Sequence, residues 1–319
     1  MTPHAHETSV SRRGVLAAGA ATTATVALGV AGTPAAAAPD PDSASGGSPN
    51  RVPRDRISVQ LYTMRDQLQI DLAGSLAELR RIGYTRVEHA GFVGRTAAEF
   101  RAALDAAGLR ATSGHAGIPQ PFDAAAWQRT LEDAHVVGNR YIVHAFFGLG
   151  ANGQPIRDAA VYSAFARDLN KAGALAKRAG LSFGYHNHHL EFVRQSNGRR
   201  GFDILTAETD PDLVHLEVDL YWAWRGTADP VDLIQRHRGR IRQVHVKDMD
   251  VTSANFTSAP FADPGAGIID FGRIFQHARE AGLAEYIVER DDAGSPPRTP
   301  AQALDTARIG FRYLDTLRF

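Results

Sequence analysis

A short unit recurs along the chain: a helical stretch ends in glycine, and an apolar strand begins within a few residues. The junctions RIGYTRVEHA, AAGLRATSGH and VVGNRYIVHA illustrate this unit. A glycine just past a helix end supplies the left-handed residue that closes the last helical turn. Helices and strands therefore alternate, and this alternation favours a parallel sheet. The glycines at these junctions are Gly83, Gly108, Gly138, Gly180, Gly239 and Gly282.

Apolar segments of this kind predict eight strands separated by helical stretches, with a final helix at about 300–317. Helix starts are marked by Thr96-Ala97-Ala98-Glu99, a capping-box pattern, and by Asp229 before Pro230. Eight units within residues 55–319 favour a single-domain (β/α)8 TIM barrel. An open, doubly wound sheet is the alternative, but no G-x-G-x-x-G follows the first strand. The predicted strands are 57–62, 86–90, 111–115, 141–146, 181–187, 214–220, 241–247 and 285–289.

The first part of the chain has the composition of a targeting segment. Residues 1–38 contain the pair Arg12-Arg13, a mildly apolar run of small residues and the sequence TPAAAAPD, which together predict a Tat-type signal peptide. A transmembrane anchor is the alternative, but the run is rich in Ala, Gly and Thr rather than Leu, Ile and Phe. Residues 39–54 are typical of a disordered linker.

This reading of the first residues predicts where the protein works. It indicates export by the Tat translocase to a secreted, periplasmic or cell-wall-associated location, without stable membrane insertion. Tat substrates cross the membrane already folded, which suits a protein that is loaded with metal in the cytoplasm. The oligomeric state is left open, although an oligomer is compatible with the sequence.

Charge and cysteine content exclude several classes of site. Lys and Arg number 35 and Asp and Glu also number 35, so the summed basic charge that a generic nucleic-acid binder uses is missing. The chain has no cysteine, which excludes disulfides, thiol catalysis and thiolate metal sites. Any metal must therefore be held by histidine nitrogens and carboxylate oxygens.

Polar residues alternate with aliphatic residues in the predicted strands. In the sixth strand, for example, His215, Glu217 and Asp219 alternate with Val218 and Leu220. Because successive side chains of a strand point to opposite faces, one parity should line the barrel. Most of these residues stand at the carboxyl ends of strands, where barrel enzymes carry their chemistry. The residues of this parity are Glu88, His115, His186, His188, Glu217, Asp219, His245, Lys247 and Glu289.

So many polar groups inside one barrel need partners, because an unpaired buried charge is costly. Each residue alone has a structural explanation: a lone histidine can be a satisfied core residue, Glu217 and Lys247 can form an ion pair, and Glu191 can cap a loop. However, strands five to eight each supply a His, Asp or Glu at one level. This convergence predicts a divalent-metal site.

Six segments resemble the xylose isomerase-like TIM-barrel superfamily, in particular its sugar phosphate isomerase/epimerase family and an exported Tat-signal subgroup. The resemblance covers about residues 56–318, and it implies the same barrel and a sugar-type substrate. The combination of YHNHxxEF, DxYW and HxKD is the most specific part. The segments are SVQLYTMRD, GYTRVEHAGF, YHNHHLEF, LEVDLYWAWRGTADP, VHVKDMD and YIVERDD.

The resemblance implies one metal ligand from each of strands five to eight. Carried over, the last three ligands fall on Asp219, His245 and Glu289. The fifth strand departs from the family, since many members have Glu where this chain has HNH. His186 matches best there, and His188 and Glu191 are alternatives. A shell of nitrogen and carboxylate suits Mn2+, which we favour, and also Co2+, Zn2+ or Fe2+, with Mg2+ less suited.

A metal at a barrel mouth can polarise a sugar carbonyl while a nearby group moves a proton from the adjacent carbon. We predict Glu289 and His188 as the acid/base groups, and Lys247 as the group that holds a developing oxyanion. The aromatic rings can stack on sugar or pack the rim, and Arg225 can bind a hydroxyl or phosphate or remain solvated. The predicted substrate-binding residues are Gln60, Tyr62, Glu88, His115, Glu191, Glu217, Trp222 and Arg225.

Four functions are compatible with these residues. A metal-dependent sugar isomerase or epimerase is the main hypothesis, and a 3-keto-glycoside lyase or hydratase that works by β-elimination is the alternative. An endonuclease IV-type phosphodiesterase is disfavoured by the neutral charge and the export signal. A non-catalytic exported sugar-binding barrel is disfavoured by the intact carboxylates at the strand ends.

The Gly-rich segment PGAGIID at 264–270 is interpreted as a turn that shapes the rim of the barrel.

Overall fold

Eight parallel strands form one sheet in the computed structural model, which describes residues 50–250 and 260–319. The strands are β1 (Ile57–Val59), β2 (Arg86–His89), β3 (Arg110–His115), β4 (Tyr141–His144), β5 (Ser182–His186), β6 (His215–Asp219), β7 (Ile241–Val246) and β8 (Glu285–Val288). Their order around the sheet is β1-β8-β7-β6-β5-β4-β3-β2. A parallel bridge between Gln60 and Glu88 joins the two ends, so the predicted (β/α)8 barrel is confirmed.

Helices connect the strands and begin at the residues that the sequence marks as caps. Thr96 forms a complete capping box with Glu99, and the Asp229 side chain accepts from Val231 N–H beside Pro230. Gly108 and Gly138 end their helices with φ of 71° and 91°, which glycine adopts without strain. The helices are α1 (Arg65–Ile70), α2 (Leu72–Ile82), α3 (Ala97–Ala107), α4 (Ala124–Val137), α5 (Ala159–Arg178), α6 (Gly201–Glu208), α7 (Leu220–Arg225), α8 (Pro230–Arg236), α9 (Phe271–Phe275), α10 (Ala278–Ala281) and α11 (Ala303–Thr316).

Several strands end earlier than the apolar pattern predicts, because turns take over at their carboxyl ends. β1 ends at Val59, and the side chain of Gln60 accepts from Tyr62 N–H to start a short 3-10 helix. β6 ends at Asp219, whose side chain accepts from Trp222 N–H and begins α7. The residues that these turns remove from the strands form the rim of the barrel mouth.

The core consists of apolar side chains between strands and helices, and of polar side chains inside the barrel. On α2, Leu72, Leu76 and Leu79 recur at helical spacing and are all buried. Near the amino ends of the strands, Arg86 forms a buried ion pair of 3.1 Å with Glu285. These two buried charges, which lie well below the barrel mouth, therefore neutralise each other.

The predicted signal peptide at 1–38 and positions 39–49 of the predicted linker lie outside the described residues. At the end of the linker, Val52 is buried and Asn50 C=O accepts from Phe319 N–H over 3.3 Å. None of the helices within 50–250 and 260–319 combines the length and the apolar character that crossing a membrane requires.

Candidate active site

Three ligand-type side chains meet at the carboxyl ends of β6, β7 and β8. Asp219 ends β6, His245 lies in β7, and Glu289 follows β8 directly. One ligand atom from each lies within 4.8 Å of the others, and all three residues are buried. We call these three residues the outer cluster. The family resemblance implies that all three are metal ligands, and the barrel brings them together.

A lysine lies between two members of the outer cluster. Lys247 Nζ is 3.0 Å from Asp219 Oδ2 and 2.9 Å from Glu289 Oε2. A third carboxylate, that of Asp291, lies 2.7 Å from the same nitrogen. Burial acts to lower the pKa of Lys247, but the three carboxylates outweigh it and raise this pKa well above its usual value. Lys247 is therefore a buried ammonium ion with three anionic partners.

His245 connects the outer cluster to the deeper part of the barrel. Its Nδ1 lies 2.6 Å from Glu289 Oε2, and its Nε2 lies 2.7 Å from Glu88 Oε1 and 3.1 Å from Glu217 Oε1. Burial acts to lower the pKa of His245, whereas the charges of Glu217, Glu289 and Glu88 raise it well above its usual value. Carboxylates at both nitrogens fix the orientation of the imidazole ring.

The deeper polar residues form a second group around Glu217, which we call the inner network: Glu88, His115, His186 and Glu217. Glu217 Oε1 lies 2.8 Å from His115 Nε2 and 2.9 Å from His186 Nδ1. Burial acts to lower the pKa of His115, but the charges of Glu88 and Glu217 raise it to about 10. Burial also lowers the pKa of His186 well below its usual value, so that ring is neutral.

His186 thus lies between the two groups. Its Nδ1 contacts Glu217, and its Nε2 lies 3.8 Å from Asp219 Oδ2. His115, His186, Glu217 and His245 also bring one ligand atom each within 4.8 Å of one another. His245 belongs to both possible ligand groups, with Nδ1 toward Glu289 and Nε2 toward Glu217. The assignment of His186 as the fifth-strand ligand stays a prediction.

The loop after β5 positions His188 at the barrel mouth. His188 is half-buried, and its ring lies 5.1 Å from that of His186 and 5.3 Å from that of Trp222, measured between centroids. Burial lowers the pKa of His188 to about 3, with a smaller contribution in the same direction from Lys247. Among the residues at 50–250 and 260–319, none makes a hydrogen bond to Nδ1 of His188. His188 is thus a neutral imidazole with an unused polar atom.

Glu191 holds this loop from behind. Its carboxylate is fully buried, accepts from the Tyr185 hydroxyl over 2.5 Å, and accepts from the backbone N–H of His188 over 3.0 Å. Burial raises the pKa of Glu191 to about 8 although these hydrogen bonds act to lower it. Glu191, predicted as a substrate contact, is directed in this structure at the strand-five loop.

The other predicted substrate contacts lie at different depths. Gln60 is fully buried and donates to Glu88 over 2.8 Å, in the inner network. Tyr62 lies at the rim with 43% of its surface exposed. Trp222 is buried, with Arg225 5.1 Å and Lys247 Nζ 5.6 Å from its ring centre. The Arg65 guanidinium lies 4.2 Å from the centre of the Tyr62 ring, so one face of that ring is already covered.

Three residues that support the site were not predicted from the sequence. Ser113 donates to Glu88 over 2.5 Å, Asn187 pairs with the backbone of Asp219, and Asp291 binds Lys247. The alternation that selects Glu289 also selects Asp291 two residues later, so that signal was present in the sequence. Ser113 and Asn187 carry no charge, and nothing in the one-dimensional pattern distinguishes them.

The Gly-rich segment at 264–270 is anchored from within the protein. Asp248 Oδ2 accepts from the backbone N–H groups of Gly265 and Gly267, and its Oδ1 accepts from that of Ile269. Asp270 caps α9 through Arg273 N–H, as a helix start predicts. The amide groups of this loop are used by Asp248, which agrees with a turn that shapes the rim.

The model of the xylose isomerase-like TIM barrel family matches residues 76–314 of the chain. The chain belongs to this family. The inosose dehydratase of Geobacillus kaustophilus is 26% identical over 273 residues, which cover 76% of this chain and 86% of that enzyme. The inosose dehydratase of Bacillus licheniformis is 32% identical over 159 residues, which cover 46% of this chain and 51% of that enzyme. The chain therefore spans about half the length of this second relative.

Solved structures show the same xylose isomerase-like fold. A sugar phosphate isomerase/epimerase from Parabacteroides distasonis superposes with a TM-score of 0.68 and 24% identity, over 87% of this chain and 98% of the other. The relatives of this chain are thus enzymes that act on small sugar-type molecules. The sequence relative bears the name inosose dehydratase, and the solved structure bears the name sugar phosphate isomerase/epimerase.

In this xylose isomerase-like barrel, the outer cluster suits a divalent cation. It offers one imidazole nitrogen and two carboxylate oxygens, a donor set typical of Mn2+ and Zn2+. Within the described part of the chain, Asp219 Oδ2 is fully buried and makes no well-formed hydrogen bond. Lys247 Nζ lies 3.0 Å from this oxygen and neutralises it, and a metal ion held by the same donor set can neutralise it in the same way. The residues present therefore fit a metal ion.

Proposed function

We propose that this protein is a metal-assisted lyase that eliminates an oxygen substituent from a keto-sugar, a keto-cyclitol or a 3-keto-glycoside. Relatives with the name inosose dehydratase support a lyase, since one of them matches over 86% of its length. The observation that carries the proposal is the pairing of unlike groups at the mouth. A neutral imidazole, His188, stands near an ionised carboxylate, Glu289, and an ammonium, Lys247.

Asp219, His245 and Glu289 would hold the metal, with His186 as the candidate fourth ligand. Mn2+ is our first choice, and Co2+, Zn2+, Fe2+ and Mg2+ are the others to test. When bound, the ion supplies a Lewis acid that polarises the carbonyl of the substrate. Glu88 and Glu217 contact His245 Nε2, so they hold the ring with its other nitrogen toward the outer cluster.

His188 is the proposed base. Its Nδ1 accepts no hydrogen bond from the described residues, so it is available to accept the proton from the carbon beside the carbonyl. The C–H bond breaks, the C–O bond to the neighbouring substituent breaks, and a carbon–carbon double bond forms between the two carbons. The imidazolium then returns the same proton to the leaving oxygen, so the products are an unsaturated ketone and water or an alcohol.

Two further groups support this step. The Lys247 ammonium stands beside the outer cluster and stabilises negative charge that develops on the carbonyl oxygen. Tyr62, exposed at the rim, offers an apolar face to a sugar ring. Trp222 lies below His188 and contributes packing, because little of its own surface is free.

A sugar isomerase or epimerase is the second candidate, and the fold shared with the Parabacteroides distasonis isomerase/epimerase favours it. It uses the same first proton transfer, but the proton returns to carbon and no substituent leaves. The same groups around the outer cluster serve both reactions, and the inosose dehydratase that matches over 86% of its length favours elimination. We also propose export of the protein through the Tat pathway, on the basis of residues 1–38.

A product assay separates the two candidates. The full chain is incubated with inosose, with 3-keto-glycosides and with simple keto-sugars in the presence of Mn2+, Co2+, Zn2+ or Mg2+ in deuterated water. A lyase yields a conjugated ketone that absorbs in the ultraviolet, whereas an isomerase yields a saturated isomer with deuterium at carbon. Isomers without elimination on every substrate would contradict our proposal.

The His188→Gln variant tests the proposed base. It should lower kcat by about 10²–10⁴-fold, with an unchanged unfolding temperature. His135→Gln is the matched control, because His135 is an exposed histidine on α4. Full activity in His188→Gln would assign the proton transfer to another group, with Glu289 next in line.

A further inference from the structure

Lys247 occupies the space between the two carboxylate oxygens that the proposed metal would use. Its Nζ lies 3.0 Å from Asp219 Oδ2 and 2.9 Å from Glu289 Oε2, and Asp291 Oδ1 lies 2.7 Å away. Lys247 donates a hydrogen bond to Asp291 Oδ1, and its contacts with Asp219 and Glu289 are ion pairs. A divalent ion on Asp219 and Glu289 would meet this positive charge directly, and two cations cannot share the same oxygens without strong repulsion.

The structure also provides a second place for the ammonium. Asp291 contacts the same nitrogen from the solvent side, with 24% of its side chain exposed, whereas Asp219 and Glu289 are nearly inaccessible. The Trp222 ring lies 5.6 Å from Lys247 Nζ and offers a face that attracts a cation. Lys247 can therefore release two carboxylates while it keeps a third one and an aromatic partner.

A second observation comes from Asp219. Its Oδ2 is fully buried and, within the residues that the structure describes, has the Lys247 ion pair but no well-formed hydrogen bond. Its Oδ1 is already used, since it accepts from Trp222 N–H over 2.8 Å. Asp219 Oδ2 thus contacts the space that Lys247 Nζ occupies, and it accepts no well-formed hydrogen bond there. This is the atom that gains most when a small dication replaces an ammonium.

We propose that Lys247 is a tethered counter-cation of the metal site. Without metal, its ammonium neutralises Asp219 and Glu289; when a divalent ion binds, the ion displaces the ammonium onto Asp291 and the Trp222 face. The inference rests on the metal site of the proposed function and adds a mode of control. Lys247 keeps the empty site folded, and it lowers the affinity for the ion so that metal loading stays reversible.

The test measures Mn2+ binding to the full chain by titration calorimetry in the absence of substrate. Lys247→Met keeps an unbranched side chain that is one atom shorter and removes its charge, so it should bind Mn2+ about tenfold more tightly or better. Without metal this variant should unfold at a lower temperature than the wild type, and Mn2+ should raise that temperature more than it does in the wild type. Lys171→Met is the control, because Lys171 is an exposed lysine paired with Asp168 over 2.7 Å.

Asp291→Asn provides a second test if Lys247→Met does not fold. It removes the carboxylate that receives the ammonium, so it should weaken Mn2+ binding about tenfold. In the Lys247→Met background the same change should have much less effect, because there is no ammonium to receive. An equal loss in both backgrounds would show a simple loss of negative charge and would overturn the proposal.

The outcomes separate this inference from the proposed function. If Lys247→Met binds Mn2+ as weakly as the wild type or more weakly, the tethered-cation proposal is overturned, whatever the product assay gives. A different result is that Lys247→Met binds Mn2+ more tightly than the wild type while the wild type yields no lyase or isomerase product. In that case the tethered cation stands and the proposed function is overturned. If neither chain binds Mn2+, Co2+ or Zn2+, both are overturned.

Discussion

The side-chain amide of Asn187 pairs with the backbone of Asp219 in both directions. Asn187 Oδ1 accepts from Asp219 N–H over 3.1 Å, and its Nδ2 donates to Asp219 C=O over 3.3 Å. Both residues are fully buried, and Asn187 directly follows β5. The amide therefore continues the sheet where the backbone of β5 has already turned away, and it fixes the residue that presents a carboxylate to the outer cluster.

Replacing Asn187 should damage both stability and the site. In Asn187→Ala the N–H and C=O of Asp219 lose their partners in a buried position, which should lower the free energy of unfolding by about 1–3 kcal/mol. Mn2+ affinity should fall with it, because Asp219 is no longer held. Urea denaturation and calorimetry measure the two effects. Asn197→Ala, an exposed loop change, is the control and should alter neither.

The carboxyl of Glu191 should make stability depend on pH. Burial raises its folded-state pKa from 4.5 to about 8, so the folded protein favours the protonated form. The stabilisation is then fully present below about pH 4.5 and is lost as the pH rises through 8. Relative to Glu191→Gln, the wild type should lose on the order of 1–3 kcal/mol across this range. Denaturation of the two proteins at each pH from 5 to 9 measures the difference in free energy of unfolding. The same pH dependence in both proteins would contradict the prediction.

Metal content tests the outer cluster. The purified wild type should carry about one divalent ion per chain, measured by elemental analysis, and a chelator should lower its unfolding temperature. The double variant Asp219→Ala/His245→Ala should carry none. Asp133→Ala/His135→Ala changes an exposed aspartate and an exposed histidine on α4, and it should keep the metal. Full metal content in the first variant would refute the proposed site.

Export depends on the pair Arg12-Arg13 in our interpretation of residues 1–38. Arg12→Lys/Arg13→Lys keeps the charge but removes the twin-arginine signal, so the precursor should accumulate inside the cell. Fractionation and immunoblotting of cells that produce each form measure this. Lys171→Arg is a control that should be exported normally. Equal export of the wild type and of Arg12→Lys/Arg13→Lys would exclude the Tat pathway.

The family resemblance predicted the correct barrel, but it could not decide between elimination and isomerisation. The main hypothesis from the sequence is an isomerase, whereas a relative that matches over 86% of its length bears the name inosose dehydratase. Both reactions begin with the same proton transfer, so the same residues serve both. Our proposal of elimination therefore rests on the inosose dehydratase match, and the product assay decides between the two reactions.

Local sequence determined the elements of this protein and the face that each polar residue occupies. Glycine at helix ends, caps such as Thr96 and alternation in strands act over a few residues, so they can be read along the chain. They predicted the eight strands and placed Asp219, His245 and Glu289 in the barrel. The strand ends were overestimated, because Gln60 and Asp219 start turns through side-chain hydrogen bonds that an apolar pattern does not contain.

Only the tertiary structure decided which atoms meet. Strand parity gives the face of a side chain but not its height along the barrel, which depends on strand stagger and on irregularities such as the register shift between Leu216 and Glu217. That stagger separates the inner network from the outer cluster and brings Lys247 Nζ between Asp219 and Glu289. These two contacts join residues 28 and 42 positions apart, and closing the barrel is the physical event that brings them within 3.0 Å.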